Sequence, residues 1–399
     1  MNLFQNAFLL LGGIVFFHMA NFQYKMTKST YNHQRLRGKV VFVFSSTLFE
    51  TMIPFINMRR SLLSLLFLSL LFGSASAKPI RVLFLGHESE HHNSNKFYPM
   101  LAKGLGRDAI YFDYVTTVEG ALGDAAYLNQ FDALLLYANH GRIKPGQWRN
   151  LKAFVEGGGG FVPVHCASWC FGNEPGFDQL VGGRFASHKT GTFTAKVVDP
   201  KHPAMAGVKE FEAWDETYKH RNHNKKDRQV LMVREVAEKG DNITDPEPWT
   251  WVRTQGKGRV FYTASGHDER VWKQPAFHQL LKAGILWSVG DARKQSYETF
   301  IAGRAPLKYE KRDNIPNYEK RSEPLPYQFP LSAKDSMDYT QAPVGFRLEL
   351  FASEPDVINP IGLAWDERGR LWVAETVDYP NEMTPNRVGN DKIKILEDT

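Results

Sequence analysis

The chain has 399 residues, 49 Lys and Arg against 43 Asp and Glu, and two cysteines. Residues 1–77 hold seven of the bases and a single acid, so the remainder carries 42 of each sign. A neutral chain without a basic stripe gives no case for nucleic acid, and two cysteines cannot make a disulfide framework.

Met58 to Ala77 combines a two-arginine start, a short leucine-rich run and an Ala-x-Ala exit. This is the pattern of a cleavable secretory signal, too short for the roughly 20 apolar residues that span a bilayer. Residues 1–57 are expected to be an upstream extension from a wrongly chosen start codon. The mature protein is then secreted or periplasmic, with no stable membrane span.

Strands and helices alternate from Pro79 to about Gly290. Strands are expected at Ile80–Leu85, Ile110–Val115, Phe131–Tyr137 and Gly160–Val164. Phe97, Leu101 and Leu105 share a helical face, as do Trp148, Leu151, Phe154 and Val155 after Pro145. Further strands are expected at Phe193–Val198, Val230–Val236, Trp249–Arg253 and Arg259–Thr263, and a closing helix at Phe277–Val289. Continuous apolar strands separated by helices predict an α/β fold, a parallel sheet with helices on both faces. Residues 291–343, rich in Lys, Arg, Glu, Tyr and Pro, read as an extended linker. Beyond it, Phe346–Phe351, Ile361–Glu375 with a turn at Glu367–Gly369, and Lys392–Leu396 read as antiparallel strands. Some fifty residues bury too little to stand alone, so 344–399 is expected to open a larger all-β structure.

In an open parallel sheet, ligands gather beyond the carboxyl ends of the strands. Polar residues collect there in four places: the run Gly86 to His92, Asn139-His140, His165-Cys166 and Ser265 to Arg270. His165, on the turn after the fourth strand, suits general acid/base work because its ordinary pKa is near neutrality. It could instead bind zinc or iron together with His87, His140 or His267, although no H-x-x-x-H spacing is present; no cofactor is otherwise predicted. Asp215 and Glu216 could hold hydroxyl groups or relay protons. Trp169, Trp214, Trp249 and Trp251 could stack on sugar rings. His220 and His223, in a Lys/Arg/Asn run, read as solvated, as does Lys308–Arg321. Gly157–Gly160 lacks a following Gly-Lys-Ser/Thr and reads as a helix stop, not a phosphate cradle.

The runs Gly159 to His165, Ser187-His188 with Asp199 to Pro203, Asp215 to Tyr218, Gly256 to His267 and Gly284 to Trp287 resemble the trehalose utilisation (ThuA) family over about residues 81–290. The resemblance implies a flavodoxin-like fold related to class I glutamine amidotransferases, and work on a small carbohydrate such as a glycoside or keto-sugar. It implies catalytic roles for His165, His267, Glu269 and Asp215, with His87, His140, His188, Glu216, Tyr218 and Trp214 binding substrate. His267-Asp-Glu269 fits the amidotransferase His-x-Glu pair. The nucleophile position, however, holds His165, with Cys166 one place late, so glutamine hydrolysis is not expected. A non-catalytic sugar-binding module and a metal-dependent hydrolase are the alternatives. Phe351 to Glu375 is similar to the opening blade of sorbosone/glucose-dehydrogenase-like propellers, some of which carry a haem domain. No C-x-x-C-H is present here, so such partners would belong to a longer parent.

Overall fold

The computed structural model describes residues 77–399 apart from 238–239, 242, 315–316, 318–319, 324, 379–387 and 398–399. The signal sequence and the upstream extension lie outside the described residues. Among the described residues no helix is long and apolar enough to cross a membrane.

Four apolar runs form the first strands: β1 (Ile80–Leu85), β2 (Ile110–Val115), β3 (Ala133–Leu136) and β4 (Gly160–Pro163). Between them lie helices α1 (Ser94–Gly106), α2 (Val118–Leu122), α3 (Ala125–Leu128) and α4 (Pro145–Glu156), with α5 (Pro175–Val181) following β4. An excursion of short strands comes next: β5 (Arg184–Ser187), β6 (Thr190–Thr194), β7 (Lys196–Val197), β8 (Glu212–Glu216) and β9 (Lys219–Arg221). Then follow β10 (Arg228–Arg234), β11 (Glu247–Gln255), β12 (Gly258–Thr263), α6 (Glu269–Trp272), α7 (Pro275–Ser288) and α8 (Asp291–Gly303).

Eight strands make one sheet in the order β2-β1-β3-β4-β12-β11-β10-β7. From β2 to β12 the pairing is parallel; from β12 to β7 it is antiparallel. The expected all-parallel sheet is thus corrected to a mixed, mostly parallel one. Apolar runs report burial on both faces but not strand direction, and the two-residue connection Gly256-Lys257 between β11 and β12 can only reverse the chain. The run Phe193–Val198 is also corrected: it divides between β6, paired with β8, and β7, at the edge of the large sheet.

Helices cover both faces, and β4 shows how. Phe161 packs on Phe177 of α5, ring centroids 6.2 Å apart. Gly160 faces the other way, where an added Cβ would fall 2.5 Å from Ser288 Oγ of α7. Only a glycine lets that helix lie so close to the strand. The aromatic core around Phe84 also engages Tyr98 of α1 and Trp272 of α6.

The extended linker is corrected over its first thirteen residues, which are the helix α8. Of its length only Ser296 and Tyr297 are buried, so its sequence carries almost no apolar period. The later stretch lies along the sheet edge, with Gln341 donating to the Phe112 carbonyl and Val344 N–H to Asp113. Phe346–Phe351 forms no strand. Pro360–Trp365, Leu371–Glu375 and Lys392–Leu396 make a three-stranded antiparallel sheet, and Ile361, Leu363, Trp365 and Ile393 are exposed on it.

Candidate functional site

Every parallel strand ends on the same rim, and the loops beyond them set the side chains. His165 follows β4 on a 3-10 turn, His165–Trp169, with φ at +48°. That conformation is uncommon for a residue with a Cβ and is held only where surrounding packing enforces it. His92 is also left-handed, φ +55°, immediately before Asn93, which caps α1. Gly266 after β12 has φ +134°, and a Cβ there would meet Val164 and His165 at 3.3 and 3.4 Å. The Ser265–His267 loop therefore presses directly on the histidine turn.

Glu216, the last residue of β8, is the hub. Its Oε2 lies 3.2 Å from His165 Nε2 and 3.5 Å from His92 Nε2. Its Oε1 lies 3.3 Å from His267 Nδ1 and 3.5 Å from His188 Nε2. Burial by itself would raise this carboxyl, but contacts with His165, His267 and His92 outweigh it and hold the group well below the usual carboxylate range. Burial drives His92 the other way, down to about 3. On His267 burial is overcome by the nearby carboxylates, and its pKa is raised. Tyr218 stacks on His165 at 4.2 Å.

A pocket of about 260 Å³ opens over this cluster, lined by His92, His188, Glu216, Tyr218, Phe185 and Trp169 among others. Trp169 is 42% exposed.

Several predicted site residues meet here: His165, His267, Glu216, His188 and Tyr218. Others do not. The Asp215 carboxylate accepts the N–H groups of Glu216, Gly266 and His267 at 2.9–3.0 Å; it braces the loops from below. His87 donates from Nε2 to the His92 carbonyl and accepts at Nδ1 from Asn139 N–H. His140 donates to the Gly86 carbonyl. Both rings hold backbone, which removes them from the expected metal set. Glu269 leaves the cluster and ion-pairs with Lys96 and Lys273, so the His-x-Glu pair is not assembled. Trp214 lies under the Arg270 guanidinium, 3.5 Å from its centroid, and beside His267. Trp249 and Trp251 are fully buried in the core.

Both cysteines are free and buried. Burial pushes the Cys166 thiol well up and that of Cys170 to about 12, so neither is an ionised nucleophile at neutral pH. His220, expected in solvent, is 4% exposed and bonds Glu247 and Tyr262 at 2.9 Å. In β9 the burial alternates, and this ring takes the inward position between exposed Lys219 and Arg221.

His92 is the site residue that sequence reasoning passed over as an individual. Its signal was its place, the last residue of the first rim loop, directly before the cap of α1.

A mixed, mostly parallel α/β domain with imidazoles and one carboxylate gathered over its strand ends is the class so defined. The chain belongs to the ThuA, or trehalose utilisation, family, whose pattern matches residues 81–288. A domain of unknown function matches residues 332–399. Among solved structures it is similar to a ThuA-like protein from Parabacteroides merdae, at 20% identity and TM-score 0.47, over 53% of this chain and 90% of that one. A ThuA-like protein from Bacteroides uniformis is similar at 20% identity and TM-score 0.44, over 54% and 93%. No curated protein matches.

Proposed function

We propose that the chain is a carbohydrate-modifying enzyme acting by proton transfer on a glycoside or keto-sugar in the pocket above Glu216. The observation that carries this reading is the hub itself: one buried carboxylate approached by four imidazoles, beneath an opening with aromatic walls. Such a concentration of ionisable groups is costly to bury, and perturbed ionisable groups that line an open cleft mark a candidate reactive site. Within it, Glu216 holds the rings in place while His188, at the mouth and 38% exposed, is the imidazole best placed to exchange a proton with a bound hydroxyl or with a carbon beside a ketone. Trp169 offers an apolar ring face to a pyranose. The family description, trehalose utilisation, agrees with a sugar substrate.

The test is incubation of the chain with a panel of glycosides and 3-keto-glycosides, following products by mass spectrometry. Turnover that vanishes in Glu216→Gln supports the enzyme. Sugar binding without turnover, unchanged in that variant, would support a binding module instead.

The reading extends to the two ends of the chain. We place the mature protein outside the cytoplasm on the strength of residues 58–77, which N-terminal sequencing of the exported form would test. The exposed apolar side chains on the C-terminal three-stranded sheet suit a blade that packs against further propeller structure.

A further inference from the structure

We propose that His92, His165, His267 and Glu216 bind one divalent transition-metal ion, zinc first among them. The proposal deepens the reading above by giving that same pocket an inorganic cofactor.

One ligand atom from each of these four residues lies within 4.8 Å of all the others. The closest approaches are 3.2 Å between the Nε2 atoms of His92 and His165, and 3.2 Å from His165 Nε2 to Glu216 Oε2. Zinc bonds of about 2.1 Å in a tetrahedron put neighbouring ligand atoms about 3.4 Å apart. The closest separations match the edges of a coordination shell, and the widest, up to 4.8 Å, must contract to below about 4.2 Å when an ion is bound.

The tautomers agree. His165 Nδ1 lies 2.6 Å from the Ala264 carbonyl oxygen. A carbonyl only accepts, so the hydrogen sits on Nδ1 and Nε2 turns a lone pair into the cluster, the arrangement that metal-bound histidines adopt. Asn139 Nδ2 lies 3.1 Å from His92 Nδ1; exchanging the amide nitrogen and oxygen, which are alike in shape, lets Asn139 accept from Nδ1–H and frees Nε2 for an ion. His267 Nδ1 is enclosed and lacks a well-directed hydrogen bond; its 3.3 Å contact with Glu216 is close but poorly aligned.

Without a cation, these lone pairs face one another and a carboxylate. Neutral rings fill some of these contacts, since His92 can donate from Nε2. But His165 Nε2, its hydrogen held on Nδ1, stays a lone pair 3.2 Å from Glu216 Oε2 unless that ring becomes an imidazolium 4.8 Å from the His92 centroid in a buried space. A dication satisfies the lone pairs and neutralises Glu216 together. Three imidazoles and one carboxylate suit zinc or ferrous iron more than calcium or magnesium. The four ligands come from four separate loops or strands, so no short spacing announces them.

The experiment strips the full-length chain with a chelator, desalts it, and titrates it with zinc and then with cobalt(II) as a spectroscopic probe. We expect one equivalent of either metal per chain, a higher melting temperature, and a visible cobalt band. His267→Ala, at the half-exposed edge, should weaken affinity at least about 100-fold, exceeding the 10–100-fold typical of lost outer-shell partners. His202→Ala, beside Trp287 at the far end of α7, should leave affinity unchanged. No saturable one-to-one binding in the titration, with no cobalt band, overturns the site, as does equal affinity in wild type and His267→Ala. If His267→Ala does not fold, stoichiometry and spectrum of the wild type decide. Sugar turnover by metal-free chain would remove the metal and keep the enzyme; one tight equivalent without turnover of any sugar would do the reverse.

Discussion

Asp215 and Glu216 are neighbours on β8, yet their carboxylates meet different partners. Asp215 accepts three backbone N–H groups, while the Glu216 carboxylate meets four imidazoles among the described residues. Adjacent strand residues point to opposite sides, and here that alternation separates support from chemistry. Asp215→Asn places an NH₂ group against at least one N–H donor and leaves it unsatisfied, at a cost of about 1–3 kcal/mol. Thermal unfolding should show the loss. Glu216→Gln keeps shape and should leave the melting temperature much closer to wild type, while turnover falls at least about 100-fold. A reversed pattern, with the Asn variant stable and the Gln variant active, would show that the two roles have been exchanged.

Gly266 couples the loop after β12 to the histidine turn. Its φ of +134° disfavours any side chain, and an added Cβ would sit in close contact with Val164 and His165, at 3.3 and 3.4 Å. Gly266→Ala should cost about 1–3 kcal/mol through backbone strain, and relaxation of that strain should shift the 265–267 loop against the His165 turn. Denaturant unfolding measures the first effect. The second would appear as lost turnover in a variant that is still folded at the assay temperature.

The parallel half of the sheet was legible because Ile80–Leu85, Ile110–Val115 and Gly160–Val164 are largely apolar runs, interrupted only by Arg81 and Asp113 and bounded by glycine or polar turns. Strand direction beyond β12 was not, since buried runs look alike whichever way they lie. The rim was legible at His165 and His267, which follow expected strands, but not at Glu216, because the charged run Glu212–Glu216 gives no apolar signal for β8. What else escaped was decided by side-chain direction. Glu269 fits a motif but turns to Lys96 and Lys273, and His220 sits among Lys, Arg and Asn yet faces inward. His87 and His140 occupy rim positions but bond backbone carbonyls, while His92, beside them in sequence and space, takes the position at the hub.

His220 supplies a pH dependence distinct from the site. Burial lowers its pKa, against the pull of Glu247, so the folded state holds the ring neutral. Tyr262 faces its other nitrogen, and Arg228, His223 and His165 lie near enough to disfavour its charge. An unfolded histidine titrates near about 6.5. Below that pH the unfolded chain takes up the proton first, so stability present at neutral pH declines as the solution is acidified. Glu247, whose pKa is lowered on balance because His220 outweighs burial, adds a second loss below about 4.5. Urea unfolding at pH 7 and pH 5.5 should show the first decline, and His220→Gln should reduce it, the remainder coming from other buried histidines such as His92. A slope between those two pH values unchanged in His220→Gln would assign the effect elsewhere.

Trp169 gives the most direct reading of what the pocket binds. Its backbone is pinned, since Arg184 donates to the Trp169 and Cys170 carbonyls and pairs with Asp178. Its ring is nonetheless 42% exposed at the pocket mouth. A large aromatic held in place with an open face is a preorganised platform, and stacking of this kind contributes about 0.5–1.5 kcal/mol beyond area burial. Trp169→Ala should therefore raise the KM for a glycoside about fivefold, the equivalent of roughly 1 kcal/mol, with kcat nearly unchanged because the groups that meet the Glu216 carboxylate are His92, His165, His188 and His267. Trp251→Ala would be no substitute control, since that ring fills the core and bonds the Val181 carbonyl. Steady-state kinetics on both sides of the KM separate the outcomes: a fall in kcat at constant KM would mean that Trp169 shapes the reacting end of the pocket and not its entrance.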